Sequence, residues 1–172
     1  MLAVGGEQAR RVLILVRHGE AMSEVQDPSR PLTERGRRQA QIAGRWLARR
    51  GFTTERILHS TKLRARQTAE IIAAELQPKP PLEQTSGLAP NDDVSTIADR
   101  LERDEYRSIM IVGHLPFLAR LVGYLTVGDT SKEFTGFEPC AIALLCELDG
   151  EWTLWALIQP KWAESGLTTS HL

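Results

Sequence analysis

Residues 11–20 read RVLILVRHGE, in which a continuous apolar run, residues 12–16, is followed by an arginine, a histidine, a glycine and a glutamate. A short apolar run rich in β-branched residues is typical of a strand that is buried on both faces of a sheet. In open α/β sheets, ligands bind at the carboxyl ends of the strands. The sequence therefore predicts a central strand that carries Arg17, His18 and Gly19 to a binding site, and Gly19 lets the backbone approach a ligand closely.

Outward from this run, strand patterns alternate with helical patterns. Thr33 suits the N-cap of a helix that Gly51 ends, and Asp149-Gly150 is a strong hairpin signal. This alternation, followed by a hairpin, predicts a three-layer α/β sandwich with a mostly parallel central sheet and helices on both faces. The predicted elements are strand 11–16, helix 33–50, strand 56–59, a helix capped by Ser60 or Thr61 and running to 76, a brief strand within 82–88, a helix capped within 91–93 and running to 103, strand 108–112, a helix from Pro116, and strands 140–148 and 152–158.

The bulk composition is that of an ordinary globular protein. With 172 residues, 42% of them hydrophobic and 25% charged, the chain fits one domain over residues 1–172, with probable tails at 1–10 and 161–172. A net charge of −1 argues against a nucleic-acid partner or a membrane-surface role. Cys140 and Cys146 are predicted to share one strand, where they are too far apart to bridge. With no targeting or membrane-length apolar segment, we predict a cytoplasmic protein.

Two other predicted strands end in residues that suit the same site. The strand 108–112 leads into Gly113-His114, and the strand 56–59 leads into Ser60 and a helix whose first turn carries Arg64. Because the carboxyl ends of parallel strands meet at one edge of a sheet, we expect two histidines and two arginines to converge there.

Phosphoryl transfer is the chemistry that these residue types favour. Guanidinium groups match phosphate oxygens, helix N-termini attract anions, and imidazole forms covalent intermediates. A metal centre is the weaker interpretation, because no carboxylate or cysteine accompanies the histidines at ligand spacing and arginines repel cations. A GxxxxGK[ST] phosphate loop is absent from the sequence.

Four ordered motifs resemble those of the histidine phosphatase superfamily, the phosphoglycerate-mutase-like proteins. They are LVRHGE at 15–20, PLTERG at 31–36 followed by Gln39-Ala40, STKLRARQT at 60–68 with Thr61 where proline is usual, and VGH at 112–114. The resemblance covers about residues 12–160. Within the superfamily, RPLT at 30–33, LAP at 88–90, GHLP at 113–116 and Phe134-Thr135 are similar to the SixA-type phosphohistidine phosphatases.

The resemblance implies a role for each site residue. His18 is the implied nucleophile, and Arg17, Arg64 and His114 clamp the phosphoryl group. Arg30 adds a phosphate contact, and we expect Gly19, Ser60 and Asp93 to contact substrate as well. Neither a metal ion nor a cofactor is expected.

The sequence departs from the larger family where a glutamate general acid is usual. Glu83 lies too early in the chain for this role, and Asp92 and Asp93 serve equally well as helix caps. Imidazole leaves far more easily than an alkoxide, so a site without a proton donor favours P–N bonds over alkyl phosphates. The chain also has little length for a lid, so an open site could admit a phosphohistidine on a protein.

The leading hypothesis is therefore a phosphatase that acts on a phosphohistidine-bearing protein. The alternatives are a phosphatase of small phosphate monoesters, a mutase, which needs an enclosed pocket, and an inactive relative that binds phosphoproteins.

Overall fold

The computed structural model describes residues 3–4, 7–8, 11–131 and 136–168, with the backbone alone for residues 3–4, 7–8 and 166–168. Its strands are β1 Ala3–Val4, β2 Glu7–Gln8, β3 Arg11–Arg17, β4 Arg56–His59, β5 Leu82–Gln84, β6 Ser108–Gly113, β7 Ile142–Leu148 and β8 Glu151–Ile158. Its helices are α1 Glu34–Arg49, α2 Leu63–Glu75, α3 Val94–Arg103, α4 Phe117–Val127 and α5 Pro160–Thr168.

Six of the strands form one mixed sheet in the order β5-β4-β6-β3-β7-β8. The strands β5, β4, β6 and β3 pair in parallel, whereas β7 runs antiparallel to β3 and forms a hairpin with β8. The strand β3 thus lies inside the sheet, as its unbroken apolar run predicts. The mostly parallel sheet of the prediction is confirmed.

Helices cover both faces of this sheet because successive strand residues point to opposite sides. Ile14 and Val16 of β3 pack with α1, α2 and Ala163 of α5, whereas Leu13 and Leu15 pack with α3 and α4. These four side chains are at most 1% exposed, and burying each of them contributes about 1.5–3 kcal/mol. The three-layer sandwich is therefore confirmed.

The helix starts follow the sequence in two cases and depart from it in a third. Thr33 caps α1 by accepting from the Gly36 N–H at 3.0 Å, and Asp93 caps α3, as predicted. The prediction that Ser60 or Thr61 caps α2 is wrong, because the N-cap is Lys62, without a side-chain cap bond. The Ser60 hydroxyl contacts His114 instead.

The hairpin turn is confirmed, but the strand before it is shorter than predicted. Asp149 (φ 50°) and Gly150 (φ 86°) both have the positive φ of a type I′ turn. The strand β7 starts at Ile142 rather than at Cys140, because Cys140 has a left-handed backbone (φ 61°) that extended structure excludes. Cys140 and Cys146 consequently do not share a strand, and both are free and buried.

Both predicted tails contain regular structure. The short strands β1 and β2 pair antiparallel within residues 1–10, and α5 occupies most of the predicted C-terminal tail. Ala163 anchors α5 in the core beside α1, whereas Trp162 stays exposed. His171 and the Phe134-Thr135 motif lie outside the described residues. Within the described ranges, no helix has the length and apolarity that a membrane span requires.

Candidate active site

The carboxyl ends of β3, β4 and β6 meet at one edge of the sheet. The His18 N–H donates to the Gly113 carbonyl at 3.0 Å, and the Ser60 N–H donates to the Val112 carbonyl at 3.1 Å. The imidazole rings of His18 and His114 consequently lie 4.9 Å apart between centroids. The two predicted histidines are therefore neighbours in one site.

The hydrogen bonds of His18 define which ring nitrogen holds the proton. Nδ1 lies 2.7 Å from the carbonyl oxygen of Gly19, an acceptor, so Nδ1 carries the hydrogen in the neutral ring. Nε2 then holds a lone pair, towards which Arg64 Nε donates at 3.3 Å. This arrangement leaves Nε2 as the nucleophilic atom of His18.

The surroundings of His18 keep its imidazole neutral. Burial is the largest cause that lowers the pKa of His18 from its usual 6.5 to about 4, and the hydrogen bond to Gly19 opposes it. The positive charges of Arg64, Arg17 and Arg30 lower the same pKa further. Near neutral pH the lone pair on Nε2 is therefore available to attack an electrophile.

His114 is also buried and neutral. Burial, followed by repulsion from His18 and from cationic side chains, lowers the pKa of His114 to about 3. Its Nε2 lies 2.8 Å from the hydroxyl oxygen of Ser60. Its Nδ1 is buried and has no hydrogen-bond partner among the residues that the structure describes.

Positive charge surrounds the two rings without compensation. Arg17 donates from Nη1 to the Phe137 carbonyl at 2.6 Å, but its buried Nε has no partner in the described part of the chain. Burial lowers the pKa of Arg17 and the pKa of Arg64. The ordinary pKa of an arginine lies far above neutrality, so both guanidinium groups stay charged. No carboxylate of the described ranges lies within ion-pair distance of either guanidinium. Such a site suits a phosphate dianion.

Arg30 adds a third guanidinium from the loop between β3 and α1. Its backbone is left-handed (φ 49°), and its Nε donates to the Met22 carbonyl at 3.1 Å. The charge of Arg30 contributes to lowering the pKa of both histidines. Because Nε makes the bond to Met22, the terminal Nη atoms of Arg30 are not used in that contact.

Gly19 and Gly36, the glycines of the first two motifs, lie where two backbone segments are in direct contact. A Cβ on Gly19 would lie 2.7 Å from the Gly36 carbonyl oxygen, and a Cβ on Gly36 would lie 2.0 Å from the Glu20 carbonyl oxygen. The RHGE segment and the first turn of α1 therefore interlock backbone to backbone. Gly19 therefore serves close packing between these segments, whereas the sequence alone indicates only a close approach to a ligand.

Several residues that support the site were missed in the sequence. The Gly19 N–H donates to the Thr68 hydroxyl at 3.1 Å, the Glu20 N–H to Gln39 at 3.0 Å, and the Leu32 N–H to Gln67 at 2.8 Å. Their positions inside the quoted motifs were a usable signal. Phe137, which holds Arg17 by its carbonyl, gave no signal because any residue supplies that group.

The three carboxylates considered as proton donors all have structural partners. Asp93 is exposed and accepts from the Ser95 N–H at 3.0 Å, and this bond is the main cause that lowers its pKa. Asp92 accepts from the Ala89 N–H at 2.7 Å, and Glu83 pairs with Arg56 and Arg100. Because their contacts lower the pKa of both Asp93 and Glu83, these two carboxyls are ionised near neutrality and are poor proton donors.

Among the described residues, the site offers few side chains that could bind a metal ion. In the described ranges, no group of three or more His, Cys, Asp or Glu side chains is arranged to hold a metal ion. The polar groups of the site are two imidazoles, guanidinium groups and a hydroxyl.

A fold of this kind, with two imidazoles and a cationic edge, defines a phosphoryl-handling α/β protein, and comparison with known proteins gives the family. The sequence profile of the histidine phosphatase superfamily (branch 1) matches residues 13–92. The phosphohistidine phosphatase SixA of Escherichia coli is 32% identical over 127 residues, which are 72% of this chain and 79% of that protein. The chain belongs to the histidine phosphatase superfamily, and its similarity is to the SixA type.

Two further comparisons extend over nearly the whole length of the relatives. An uncharacterized protein of Picosynechococcus sp. is 35% identical and covers 87% of this chain and 97% of its own. The structure of the protein histidine phosphatase SixA complexed with tungstate superimposes with a TM-score of 0.78 at 29% identity, covering 87% of this chain and 97% of that one.

Proposed function

We propose that this chain removes phosphoryl groups from phosphohistidine on a protein, through a covalent intermediate on His18 and without a metal ion. The observation that carries the proposal is the neutral His18 ring, whose Nε2 lone pair accepts from Arg64 inside a cationic site where no carboxylate of the described residues pairs with Arg17 or Arg64. The identity to a phosphohistidine phosphatase of Escherichia coli supports the substrate class.

The first step transfers the phosphoryl group between two imidazoles. Nε2 of His18 forms a bond to phosphorus as the P–N bond of the substrate breaks, and the departing ring nitrogen takes a proton from solvent. The guanidinium groups of Arg17, Arg64 and Arg30 and the ring of His114 neutralise charge on the equatorial oxygens. Gly19 and Ser60, which the sequence predicts as further substrate contacts, support the site from behind, because the Gly19 N–H donates to Thr68 and the Ser60 hydroxyl contacts His114.

The second step regenerates the enzyme. Water attacks the phosphorus on His18, inorganic phosphate leaves, and Nε2 regains its lone pair. No metal-bound hydroxide is required, because imidazole is a good leaving group compared with an alkoxide. A divalent ion placed here would be repelled by the same guanidinium groups that bind phosphate.

The carboxylates support a substrate with an easy leaving group. Asp92, Asp93 and Glu83 are engaged in backbone or ion-pair contacts, which leaves an alkyl phosphate without an evident proton donor. Asp93 remains in the proposal as a substrate contact and as the alternative donor. A cytoplasmic location also belongs to the proposal, and the two free thiols are compatible with it.

A substrate panel tests the proposal. Purified chain is assayed with a histidine-phosphorylated phosphotransfer protein, p-nitrophenyl phosphate and sugar phosphates, each with and without EDTA. We expect phosphoprotein hydrolysis to be the fastest, unaffected by EDTA, and lost in His18→Ala. Rapid quenching should trap acid-labile, base-stable phosphate on the wild-type chain.

Three outcomes would contradict the proposal. Faster hydrolysis of sugar phosphates would identify a small-molecule phosphatase. Loss of activity in EDTA would mean that the reaction requires a metal ion. Binding of the phosphoprotein with no turnover of any substrate would identify a phosphoprotein-binding relative.

A further inference from the structure

Ser60 and His114 form a buried polar pair at the edge of the sheet that carries the site. Ser60 follows β4 and His114 follows β6, and each residue is 1% exposed. The hydroxyl oxygen lies 2.8 Å from Nε2 of the imidazole. Because water does not reach this pair, the hydrogen bond is not exchanged for one to solvent.

The backbone fixes the position of Ser60. Its N–H donates to the Val112 carbonyl at 3.1 Å, and its own carbonyl lies 3.0 Å from His59 Nδ1. The serine is therefore held between β4 and β6, and its hydroxyl has a constant position relative to the imidazole.

Hydrogen counting alone allows the bond between Ser60 and His114 to run in either direction. The Ser60 oxygen already accepts from the Lys62 N–H at 3.4 Å, and the hydroxyl has one hydrogen to donate. A neutral imidazole has one N–H and one lone pair. Donation by Ser60 places the lone pair on Nε2 and the hydrogen on Nδ1.

The other ring nitrogen decides between the two tautomers. Nε2 is occupied by Ser60, so Nδ1 is the nitrogen that is left for a ligand, and it has no partner within the described residues. A lone pair at Nδ1 would meet phosphoryl oxygens acceptor against acceptor. An N–H at Nδ1 instead gives a bound anion a donor and gives the orphaned atom a partner.

We propose that the Ser60 hydroxyl donates to Nε2 of His114 and so keeps the ring proton on Nδ1, from which it is donated to a phosphoryl oxygen of the bound substrate. Ser60 is then a positioning residue that acts through His114. The inference rests on the proposed function for the identity of the ligand alone, since the tautomer is a property of the free protein.

Nitrogen-15 NMR of histidine-labelled protein tests the tautomer directly. We expect the His114 ring of the full chain to be protonated at Nδ1, and its Nδ1–H resonance to shift when tungstate is added. In Ser60→Ala we expect Nε2-protonated ring to appear, with kcat/KM reduced about tenfold, the size expected for one lost hydrogen bond of about 1.4 kcal/mol. Ser60→Thr keeps the hydroxyl and should restore the Nδ1 tautomer and most of the activity.

Thr54→Val is the matched control. It also removes a buried hydroxyl, one that donates to the Arg56 carbonyl at 2.9 Å at the opposite end of β4. We expect this variant to keep both the wild-type tautomer and the wild-type affinity for tungstate.

Protonation of Nε2 in the wild-type ring would overturn the inference, and so would a Ser60→Ala variant with unchanged tautomer and tungstate affinity. The wild-type spectrum decides even if a variant does not fold. The chain could bind tungstate with His114 protonated at Nδ1 and yet hydrolyse no phosphohistidine protein. That result would contradict the proposed function but support the role of Ser60.

Discussion

His18 combines two properties that a nucleophilic imidazole needs, a defined lone pair and a low affinity for protons. The Gly19 carbonyl holds the hydrogen on Nδ1, and burial with nearby guanidinium charge lowers the pKa to about 4. A protonated ring could not attack phosphorus, so acid should abolish the reaction only well below neutrality. The same burial keeps the histidines of the folded chain neutral at pH values where the unfolded chain is protonated. Acid therefore lowers the free energy of unfolding.

The first prediction concerns the pH dependence of activity. We expect kcat/KM to require unprotonated His18 and to fall as the pH drops through about 4, not through the usual histidine value of 6.5. The measurement is kcat/KM from pH 3.5 to 8 on an aryl phosphate, which is stable in acid. A midpoint near 6.5 would contradict the surroundings that we assign to His18.

Stability supplies the control for that profile. The unfolded chain binds protons at His18 below pH 6.5 while the folded chain does not until about pH 4, so the free energy of unfolding should decrease as the pH falls across this window. Each pKa unit corresponds to about 1.4 kcal/mol. Urea unfolding at each pH separates the loss of folded protein from the loss of a nucleophile, and His18→Asn should reduce the slope.

The second prediction separates capping from catalysis at Asp93. Asparagine caps helices as well as aspartate does, so Asp93→Asn should keep both stability and phosphohistidine hydrolysis. Asp93→Ala should lose about 1 kcal/mol of stability by removing the cap. Urea unfolding and the phosphoprotein assay are measured for both variants. If Asp93→Asn is stable but more than tenfold slower, Asp93 is the proton donor.

At the scale of elements, the site depends on how the first turn of α1 meets the loop after β3. Gly36 lies in that turn, where a Cβ would be 2.0 Å from the Glu20 carbonyl oxygen. The Thr33 hydroxyl also donates to the Glu20 carboxylate at 2.8 Å. Movement of this turn would therefore shift the segment that follows His18.

The third prediction compares two glycines of α1. Gly36→Ala should destabilise the protein by about 1–3 kcal/mol despite the better helix propensity of alanine, and should lower kcat/KM at least tenfold, because backbone must move beside His18. Gly44→Ala is the control, since its Cβ would be 3.0 Å from the Glu75 Cβ at the α1–α2 contact. We expect its activity to stay normal. Urea unfolding and steady-state kinetics check both, and equal effects would contradict the interlock.

The sequence predicted elements best where one local rule decides the outcome. The apolar run of β3, the Thr33 cap and the Asp149-Gly150 turn each follow from a few adjacent residues, and all three are confirmed. The cap of α2 was wrong because the Ser60 hydroxyl has a distant partner in His114. The helix α5 was missed because little more than Ala163 marks its packed face.

At the candidate site, too, the features that follow from local sequence patterns were predicted, and those that depend on contacts between distant residues were not. The approach of His18 to His114 follows from parallel strands whose carboxyl ends meet at one edge of the sheet, which the alternating pattern predicts. The orientation of each ring does not, since it depends on the Gly19 carbonyl and the Ser60 hydroxyl at particular distances. The contact of Arg17 with the Phe137 carbonyl joins residues 120 positions apart, and no local pattern specifies it.

For the whole molecule, like charge is concentrated at the cationic site although the chain as a whole is nearly neutral. The net charge is −1, yet Arg17, Arg64 and Arg30 surround buried neutral rings with no carboxylate partner among the described residues. Repulsion between like charges in a partly buried site opposes folding. A bound dianion removes that repulsion, so ligand binding and global stability should be coupled.

The fourth prediction follows from this coupling. Tungstate or phosphate at 100 times its Kd should add about 2.7 kcal/mol to the free energy of unfolding, which for a chain of this size raises Tm by about 5–10 °C. The rise should persist in EDTA, because the guanidinium groups and not a metal hold the anion, and sodium chloride at equal ionic strength should not reproduce it. Arg64→Met should abolish the shift, since Arg64 is buried against His18. Arg66→Met, two positions along α2, should keep it, since Arg66 is exposed and pairs with Glu70. Thermal unfolding of the three proteins with each anion decides the matter, and an equal shift in all three would mean that tungstate stabilises the fold somewhere other than beside His18.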